Sequence, residues 1–440
     1  MTKKFITLVL IIVASFTYSQ NDSFAPVGDI NNILPIWEQA KIMEKQLRIR
    51  QKTVVPKIMR QEGVDMWIVT NNEGVLFLSL IKANDEGLVS ERNDAVLFYD
   101  KGVNKGIEAL EINFEELKNI IATRNPDKIA LHDELKEEVA QNFDKKYRKN
   151  IVSSEALGTG FLQIRSDEEM SLFGYVARIA HKIIAEAFSN KVIIPDVTTT
   201  DDVNWWIRQR YRDLGLRTSD HPTITIQRSK FERSKYVESD EHFRIDIPPR
   251  NGYNTVIRRG DIIACDTGIN YLGLGTDTQQ VAYVLKRGEI DAPKGLKKAI
   301  SNTGKLQDIF AAEFADGRKS NEIVNPALRK AKADGLRAAI YSHPIPHFLM
   351  RYSLNGGFFS RTRYGAGPDM GGGEHGEELP PERGEPVYNN TVYAMELDTK
   401  TAIPEWGGQV VRIVLEQTIA FTQDKVVYLG GRQTDFYLIK

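Results

Sequence analysis

Two aspartates, Asp266 and Asp277, lie in the segment GDIIACDTGINYLGLGTDTQQVAYVL, where their type and spacing could serve metal chemistry. The stretches DIIACDTGI and TDTQQVAYVL are typical of strands, and NYLGLG between them is typical of a turn. If the turn centres between Tyr271 and Leu272, the two carboxylates are directly opposite each other in an antiparallel hairpin. Opposed carboxylates repel unless a cation lies between them, and paired oxygen ligands suit two manganese, cobalt or zinc ions. Alternatively, Asp266 only enters a turn and Asp277 lies on a solvated face.

Two further acids, Glu396 and Glu416, occur in the apolar strand patterns NTVYAMELDT and GGQVVRIVLEQTIAF. One face of each strand is apolar throughout: Tyr393, Met395 and Leu397 in the first, and Val411, Ile413 and Leu415 in the second. The glutamates point to the opposite faces, and acids in such apolar strands are expected to be buried with a cation or a proton. Taken singly, each could form a structural salt bridge, for example Glu416 with Arg412.

The stretch YSHPIPHFLM supplies a nitrogen ligand, because His343 and His347 both lie in it. Together with four strand acids, a nearby histidine favours a metal site over unrelated salt bridges. These residues resemble the pita-bread metallopeptidases, which include methionine aminopeptidase, aminopeptidase P and prolidase, with creatinase as a relative without metal. The resemblance covers about residues 166–440.

The resemblance implies a metal centre and a reaction. Five residues would bind two divalent metal ions, with manganese expected first and cobalt or zinc as alternatives: Asp266, Asp277, His343, Glu396 and Glu416. The reaction implied is metal-assisted hydrolysis of the N-terminal peptide bond of a peptide, with Glu396 also passing a proton to the leaving nitrogen. The two-domain form favours the proline-related branch, and therefore an Xaa-Pro bond.

The elements that must position these residues predict two domains. Alternating strands and helices over residues 30–160 indicate a small α/β domain, similar to the N-terminal domain of creatinase, prolidase and aminopeptidase P. Ser166 and Glu169 form a capping-box pattern that predicts the start of a helix and of the second domain. Residues 166–440 then form the α+β catalytic domain, for which the resemblance implies the pita-bread fold.

The sequence departs from the family pattern after the metal histidine. The family commonly has a second histidine about seven residues later, where this chain has Met350. A later glycine-histidine run of the family appears only as RYGAGPDMG, with Tyr364 at the place of the histidine. Either His347 or Tyr364 could donate the missing hydrogen bond, or the activity is altered or lost.

Other polar residues receive separate interpretations. His221 either faces the substrate or caps a strand. His242 lies nearer to the position of another family histidine that contacts substrate, although its spacing to Asp261 is longer than expected. Arg412, on the face of the glutamates, is assigned to substrate binding. The remaining histidines are interpreted as structural or as loop residues: His132, His181 and His375.

Composition and the N-terminus bear on partners and location. The net charge of −1 and the lack of a long lysine or arginine run exclude nucleic acid and anionic membrane surfaces as expected partners. MTKK followed by FITLVLIIVASF predicts a signal peptide over residues 1–20, too short to span a bilayer, although a buried N-terminal helix is the alternative. The expected product is periplasmic or secreted, without a membrane anchor. Cys265 is the only cysteine and is expected to be a small core residue.

Two other functions compete with a peptidase. The chain could be a pseudo-enzyme that uses the fold to bind peptides or proteins, or a creatinase-like hydrolase without metal. Retention of all five metal ligands argues against both, because neither needs clustered strand acids. The sequence leaves the oligomeric state open, and a homodimer is common among similar proteins.

Overall fold

A computed structural model describes residues 33–73, 94–141, 143–218, 222–235, 254–345, 370–371, 377–381, 384 and 386–440. The strands form a five-stranded sheet, a nine-stranded sheet and a two-stranded ribbon. The first sheet and its helices are, in chain order, α1 (Ile36–Gln61), β1 (Met66–Thr70), β2 (Ala95–Asp100), β3 (Ile107–Ile112), α2 (Phe114–Arg124), β4 (Ile129–Leu131), α3 (Lys136–Ala140), α4 (Lys145–Arg148), β5 (Ile151–Ser153) and α5 (Glu155–Gln163).

The second sheet, its helices and the ribbon follow. In chain order they are α6 (Asp167–Ala187), α7 (Thr200–Asp213), β6 (Thr223–Gln227), α8 (Lys230–Arg233), β7 (Ile262–Thr267), β8 (Asn270–Tyr271), β9 (Leu274–Gly275), β10 (Thr278–Val284), α9 (Lys294–Ala311), α10 (Ser320–Ala333), β11 (Ala338–Pro344), β12 (Met370–Gly371), β13 (Thr391–Ile403), β14 (Gln409–Thr422), β15 (Lys425–Tyr428) and β16 (Tyr437–Ile439). The described ranges also contain three short 3-10 helices, at Asn71–Glu73, Asp133–Leu135 and Pro404–Trp406.

The first sheet has the order β3-β2-β1-β4-β5 and is covered on both faces by helices. All five residues of β1 are buried, because its alternate side chains enter a separate core on each face of the sheet. Trp67 packs with Phe98 and with helices α1 and α5, whereas Met66 faces Leu117 of α2. The alternation of strands and helices predicted over residues 30–160 is confirmed in the described part of this range.

Buried charges join α1 to the start of the second part of the chain. Ser166 and Glu169 form the predicted capping box, with bonds of 3.2 and 2.7 Å between side chain and backbone. The Glu169 carboxylate also accepts a bond of 2.8 Å from Arg50 of α1, and both side chains are completely buried. Arg165 donates to the carbonyl of Ile345, just beyond β11. These contacts lie at the predicted domain boundary, whose limits stay a prediction.

The second sheet has the order β12-β11-β13-β14-β10-β7-β6, with β15 paired to β14 and β16 to β10. In one half of this sheet α6 and α7 pack on β7 and β10, and in the other half α9 and α10 pack on β11, β13 and β14. Helix α9 also packs on β7 and β10. Between the two halves, β10 and β14 share one registered pair in the described chain, Gln279 with Glu416. The predicted metal ligands lie on or directly beside the strands around this junction.

Several expectations are settled by packing. Cys265 is completely buried among the residues of α6 and α7, as predicted, and burial raises the pKa of its thiol. The apolar faces predicted for β13 and β14 are buried, and they pack against α9 and α10. No helix in the described ranges is long and apolar enough to cross a membrane. The predicted signal peptide lies outside the described residues.

Candidate metal centre

Asp266 and Asp277 come from the predicted hairpin, but they are not directly opposite each other. Asp266 of β7 pairs with Gln279 of β10, whereas Asp277 precedes β10. The predicted register is therefore wrong by two residues. The reason is the turn, which centres between Leu272 and Gly273 because both have positive φ, 56° and 78°. The tight turn favoured in hairpins requires positive φ at both central residues, and glycine adopts it without steric cost.

Gly268 keeps the two aspartates close in space despite this shift. A Cβ atom at position 268 would collide with the carbonyl oxygen of Thr276 and lie 3.7 Å from the Cα of Asp277. The missing side chain therefore lets the chain after Asp266 pass directly beside the residues that lead into β10. The two aspartates occupy diagonal positions of the hairpin, a relation that typically separates Cα atoms by about 7–8 Å.

Neighbouring strands continue the hairpin into a row of polar side chains. Asp266 pairs with Gln279, Gln279 pairs with Glu416 of β14, and Glu416 pairs with Glu396 of β13. Paired residues of antiparallel strands point to the same face of the sheet. Four adjacent strands therefore present three carboxylates and one amide to a common face. Glu416 is 2% exposed, whereas Glu396 and Asp266 are partly exposed.

His343 completes the cluster from β11, where it pairs with Ala394 of β13. Its Nε2 atom lies 3.6 Å from Oδ2 of Asp277 and 3.8 Å from Oε1 of Glu416. Its Nδ1 atom lies 3.2 Å from the carbonyl oxygen of Pro344, which can only accept a hydrogen bond. A proton on Nδ1 leaves the Nε2 lone pair of the neutral ring directed at the carboxylates, the tautomer that a metal ligand needs.

The carboxylates perturb one another electrostatically. Burial raises the pKa of Glu416 well above its usual value, and the charges of Asp277, Glu396 and Asp266 raise it further. Burial likewise raises the pKa of Glu396, and the charges of Asp266 and Asp277 add to the effect. Four carboxylates that destabilise one another's charges require bound protons or a cation.

The donor set fits divalent metal ions. Within the part of the chain that the structure describes, Oε1 of Glu416 is buried and has no hydrogen-bond partner. One ligand atom each from Asp277, His343 and Glu416 lie within 4.8 Å of one another, close enough to share one ion. Oxygen ligands with a single imidazole suit manganese, cobalt or zinc. Asp266 and Glu396 lie in the same row of side chains as Glu416, and their place among the metal ligands stays a prediction.

Arg412 does not pair with Glu416, so that structural alternative is wrong. Its Nε atom donates to Oδ2 of Asp398 at 2.7 Å, and its Nη2 atom donates to the hydroxyl of Tyr341 at 2.8 Å. The Tyr341 hydroxyl in turn donates to Asp398 at 3.1 Å. Arg412 thus has two partners within the protein, and its predicted contact with substrate stays a prediction.

Sequence reasoning missed two hydroxyl residues that contact ligand backbones. The Ser342 hydroxyl is bonded to the backbone of Glu396, and the Thr418 hydroxyl is bonded to the backbone of Asp277. Thr418 follows Glu416 on the same strand face, a signal the sequence contains, but its partner depends on the strand register. Ser342 precedes His343 and carries no comparable signal.

The remaining predicted site residues lie outside the described residues. These are His221, His242, His347 and Tyr364, and their roles stay predictions. The same holds for Met350, which stands where the family has its second histidine. Of the ten residues predicted for the site, the structure describes six. Asp277, His343 and Glu416 have ligand atoms within 4.8 Å of one another, Asp266 and Glu396 lie in the same row as Glu416, and Arg412 has its own partners.

Comparisons with known proteins bear on this geometry. The sequence profile of metallopeptidase family M24 matches residues 172–423, more than half of the chain. Curated protein sequences give no match. Among solved structures, an X-Pro aminopeptidase from Thermotoga maritima aligns over 87% of this chain and 99% of its own, with a TM-score of 0.53 and 13% identity.

Two further solved structures align over 91% of this chain and 100% of their own. One is a dipeptidase from Pyrococcus horikoshii, with a TM-score of 0.52 and 14% identity. The other is an Xaa-Pro dipeptidase from Bacillus anthracis, with a TM-score of 0.51 and 13% identity. At these identities the likeness concerns the fold, and it confirms the predicted α+β pita-bread architecture.

Proposed function

Because the chain belongs to metallopeptidase family M24, we propose that it is an exported two-metal exopeptidase that removes the N-terminal residue of peptides, with a preference for Xaa-Pro bonds. The observation that carries this proposal is the convergence of four carboxylates and one imidazole at one junction of the sheet. His343 Nε2 lies 3.6 Å from Asp277 and 3.8 Å from Glu416, which supports a shared metal site.

The five ligands divide between the two halves of the second sheet. Asp266 and Asp277 would hold one ion and help to bind the other, His343 and Glu396 would complete that second ion, and Glu416 would contact both. Bound divalent ions supply Lewis-acid polarisation of the scissile carbonyl and activation of a water molecule. The clustered donors supply the negative charge and the geometry that hold such ions in place.

Glu396 is the proposed proton carrier. It is partly exposed, whereas Glu416 is buried, so substrate and solvent can reach its carboxyl group more readily. Burial and neighbouring carboxylates raise its pKa, which is the direction that a proton-carrying carboxyl group requires. Glu396 would transfer this proton to the nitrogen atom that leaves when the peptide bond breaks.

The proposed preference for proline is supported by similarity of fold and not by any residue of the site. Similar folds carry the names X-Pro aminopeptidase and Xaa-Pro dipeptidase, and the alignments extend over the N-terminal sheet as well as the metal centre. Export rests on the N-terminal sequence MTKKFITLVLIIVASF alone. Manganese is the expected ion, with cobalt or zinc as alternatives.

A metal and substrate assay tests the proposal. The protein lacking residues 1–20 is purified, its metal content is measured, and peptides with proline or alanine in the second position are offered with and without chelator. We expect two divalent ions per chain, cleavage of the first bond, a faster reaction with proline and loss of activity with chelator. Cleavage that is indifferent to chelator would exclude a metallopeptidase.

A second candidate function is peptide binding without cleavage. It is favoured by one observation, Met350 at the position where the family commonly has a second histidine. This candidate predicts that the protein binds metal and retains Xaa-Pro peptides in a binding assay, yet releases no product after prolonged incubation. Turnover of any of these peptides by the wild-type protein but not by Glu416→Gln would exclude it.

A further inference from the structure

The backbone around Glu396 departs from regular sheet pairing. The β11–β13 ladder pairs Ile340 with Leu397 and His343 with Ala394, and it skips the two positions between them, all of which the structure describes. In an antiparallel sheet the N–H and C=O groups of one residue point to the same neighbouring strand. At Glu396 both groups therefore need partners from β11 that the ladder does not supply.

The side chain of Ser342 supplies both partners. Its hydroxyl accepts a bond of 3.0 Å from the N–H group of Glu396 and donates a bond of 3.1 Å to the carbonyl oxygen of the same residue. A hydroxyl can do this because it carries one donor and two acceptor sites. Ser342 is 1% exposed, so water cannot readily take its place.

The same arrangement recurs at Asp277. Asp277 lies just outside the β10 ladder, opposite Thr418 in the β10–β14 register. The Thr418 hydroxyl accepts a bond of 3.2 Å from the N–H group of Asp277 and donates a bond of 3.0 Å to its carbonyl oxygen. Thr418 is completely buried. Two of the five predicted ligands thus have both backbone groups bound by a single buried hydroxyl.

We propose that Ser342 and Thr418 are positioning residues of the metal centre. Each hydroxyl fixes the backbone, and hence the carboxylate, of one ligand where the sheet's own hydrogen bonds are missing. The role rests on the proposed metal centre, and neither hydroxyl needs to touch a metal ion or a substrate. Outer residues that orient ligands typically contribute about 10- to 100-fold to metal affinity.

Isosteric substitutions separate this role from general stability. Thr418→Val keeps the shape of the side chain but removes the hydroxyl, Thr418→Ser restores the hydroxyl, and Ser342→Ala removes the second one. Thr303→Val is the matched control. Thr303 is also completely buried, and its hydroxyl bonds Thr399 and the carbonyl of Ile413 behind the sheet, on the face away from the ligands.

The experiment measures Mn²⁺ affinity by calorimetric titration of each metal-free protein, together with its unfolding temperature in chelator. We expect Thr418→Val and Ser342→Ala to bind Mn²⁺ about 10- to 100-fold more weakly, and Thr418→Ser to bind it nearly as the wild type does. Thr303→Val should lower the unfolding temperature and leave the affinity unchanged.

Two results overturn the proposal in different ways. If the wild type binds Mn²⁺ and Thr418→Val and Ser342→Ala bind it equally well, or if Thr303→Val weakens binding to the same extent, the hydroxyls have no specific positioning role. If the wild type binds no Mn²⁺, the metal centre itself is refuted and the positioning role falls with it. Failure to cleave peptides, by contrast, affects only the proposed activity.

Discussion

Gly268 provides the sharpest test of how the backbone sets the metal centre. The substitution Gly268→Ala adds one methyl group, which would collide with the carbonyl oxygen of Thr276 and lie 3.2 Å from its carbonyl carbon. The colliding atom belongs to the backbone, so no side-chain rotation relieves the overlap. The segment between Asp266 and Asp277 must therefore move to accept the methyl group.

The expected cost follows from the size of that movement. A shift of about 1 Å in a catalytic group can reduce the rate about 100-fold, which corresponds to about 2.7 kcal/mol of barrier. We expect Gly268→Ala to lower kcat/KM for an Xaa-Pro peptide by about that factor and to weaken Mn²⁺ binding. Peptide hydrolysis and calorimetric titration measure the two effects separately.

Gly304 offers a matched control within the same domain. It lies in the interior of α9, and a Cβ atom there would have no neighbour within 4 Å. Gly304→Ala should leave kcat/KM and the Mn²⁺ affinity unchanged. It should stabilise the protein by up to about 1 kcal/mol, because alanine has a higher helix propensity than glycine. If Gly268→Ala retains wild-type metal affinity and kcat/KM, the close approach at this position does not set the site.

Three further predictions concern buried charge. Burial lowers the pKa of His181 from 6.5 to about 4. Between these two pH values the histidine is therefore protonated in the unfolded chain and neutral in the folded protein. Stability is thus fully present above pH 6.5 and falls by up to about 3 kcal/mol towards pH 4. Urea unfolding at pH 7.5 and 4.5 should show this loss in the wild type but not in His181→Phe, and equal pH dependence would contradict it. Glu416→Gln should abolish peptide hydrolysis yet raise the unfolding temperature in chelator, because it removes one of four mutually repelling carboxylates; full activity would remove Glu416 from the site. Arg50→Met leaves the Glu169 carboxylate buried without its partner and should cost about 3–5 kcal/mol in urea unfolding, and a loss below about 1 kcal/mol would show that the pair is not desolvated as the structure indicates.

Periodicity was sufficient to predict the strands that carry the glutamates. In β13 and β14, residues of one parity are apolar and packed on helices, so Glu396 and Glu416 had to face the other way. The capping box of Ser166 and Glu169 was equally readable, because its two bonds join residues only three positions apart. Local patterns of this kind are complete within a short stretch of sequence.

Register was harder, because it depends on backbone angles that the residue types do not determine. The turn between β8 and β9 places Leu272, a residue with a Cβ atom, at positive φ, which sequence patterns rarely predict. Centring the turn one residue earlier made Asp266 and Asp277 appear to be direct partners. Gln279, the actual partner of Asp266, carried no signal of its own.

Partner choice between distant segments was not accessible from sequence. Arg412 is close in sequence to Glu416, yet it bonds Asp398 and Tyr341 on two other strands. The hydroxyl of Ser342 is similarly invisible, because its role arises only where the β11–β13 ladder skips two positions. Such contacts depend on how strands are offset, a property of the assembled sheet rather than of any one segment.

Among the described residues one registered pair joins β10 to β14, so the junction is a seam in the backbone pairing of the sheet. One side of it carries Asp266 and Asp277, and the other side carries the remaining three predicted ligands. The packing crosses this seam, because α9 shares one core with β7 and β10 on one side and with β14 on the other. Helix α9 therefore helps to set the spacing between the two ligand sets, because it packs on strands that carry members of both. Substitutions in this shared core, far from the carboxylates, are therefore expected to change the spacing of the predicted ligands without altering any of them.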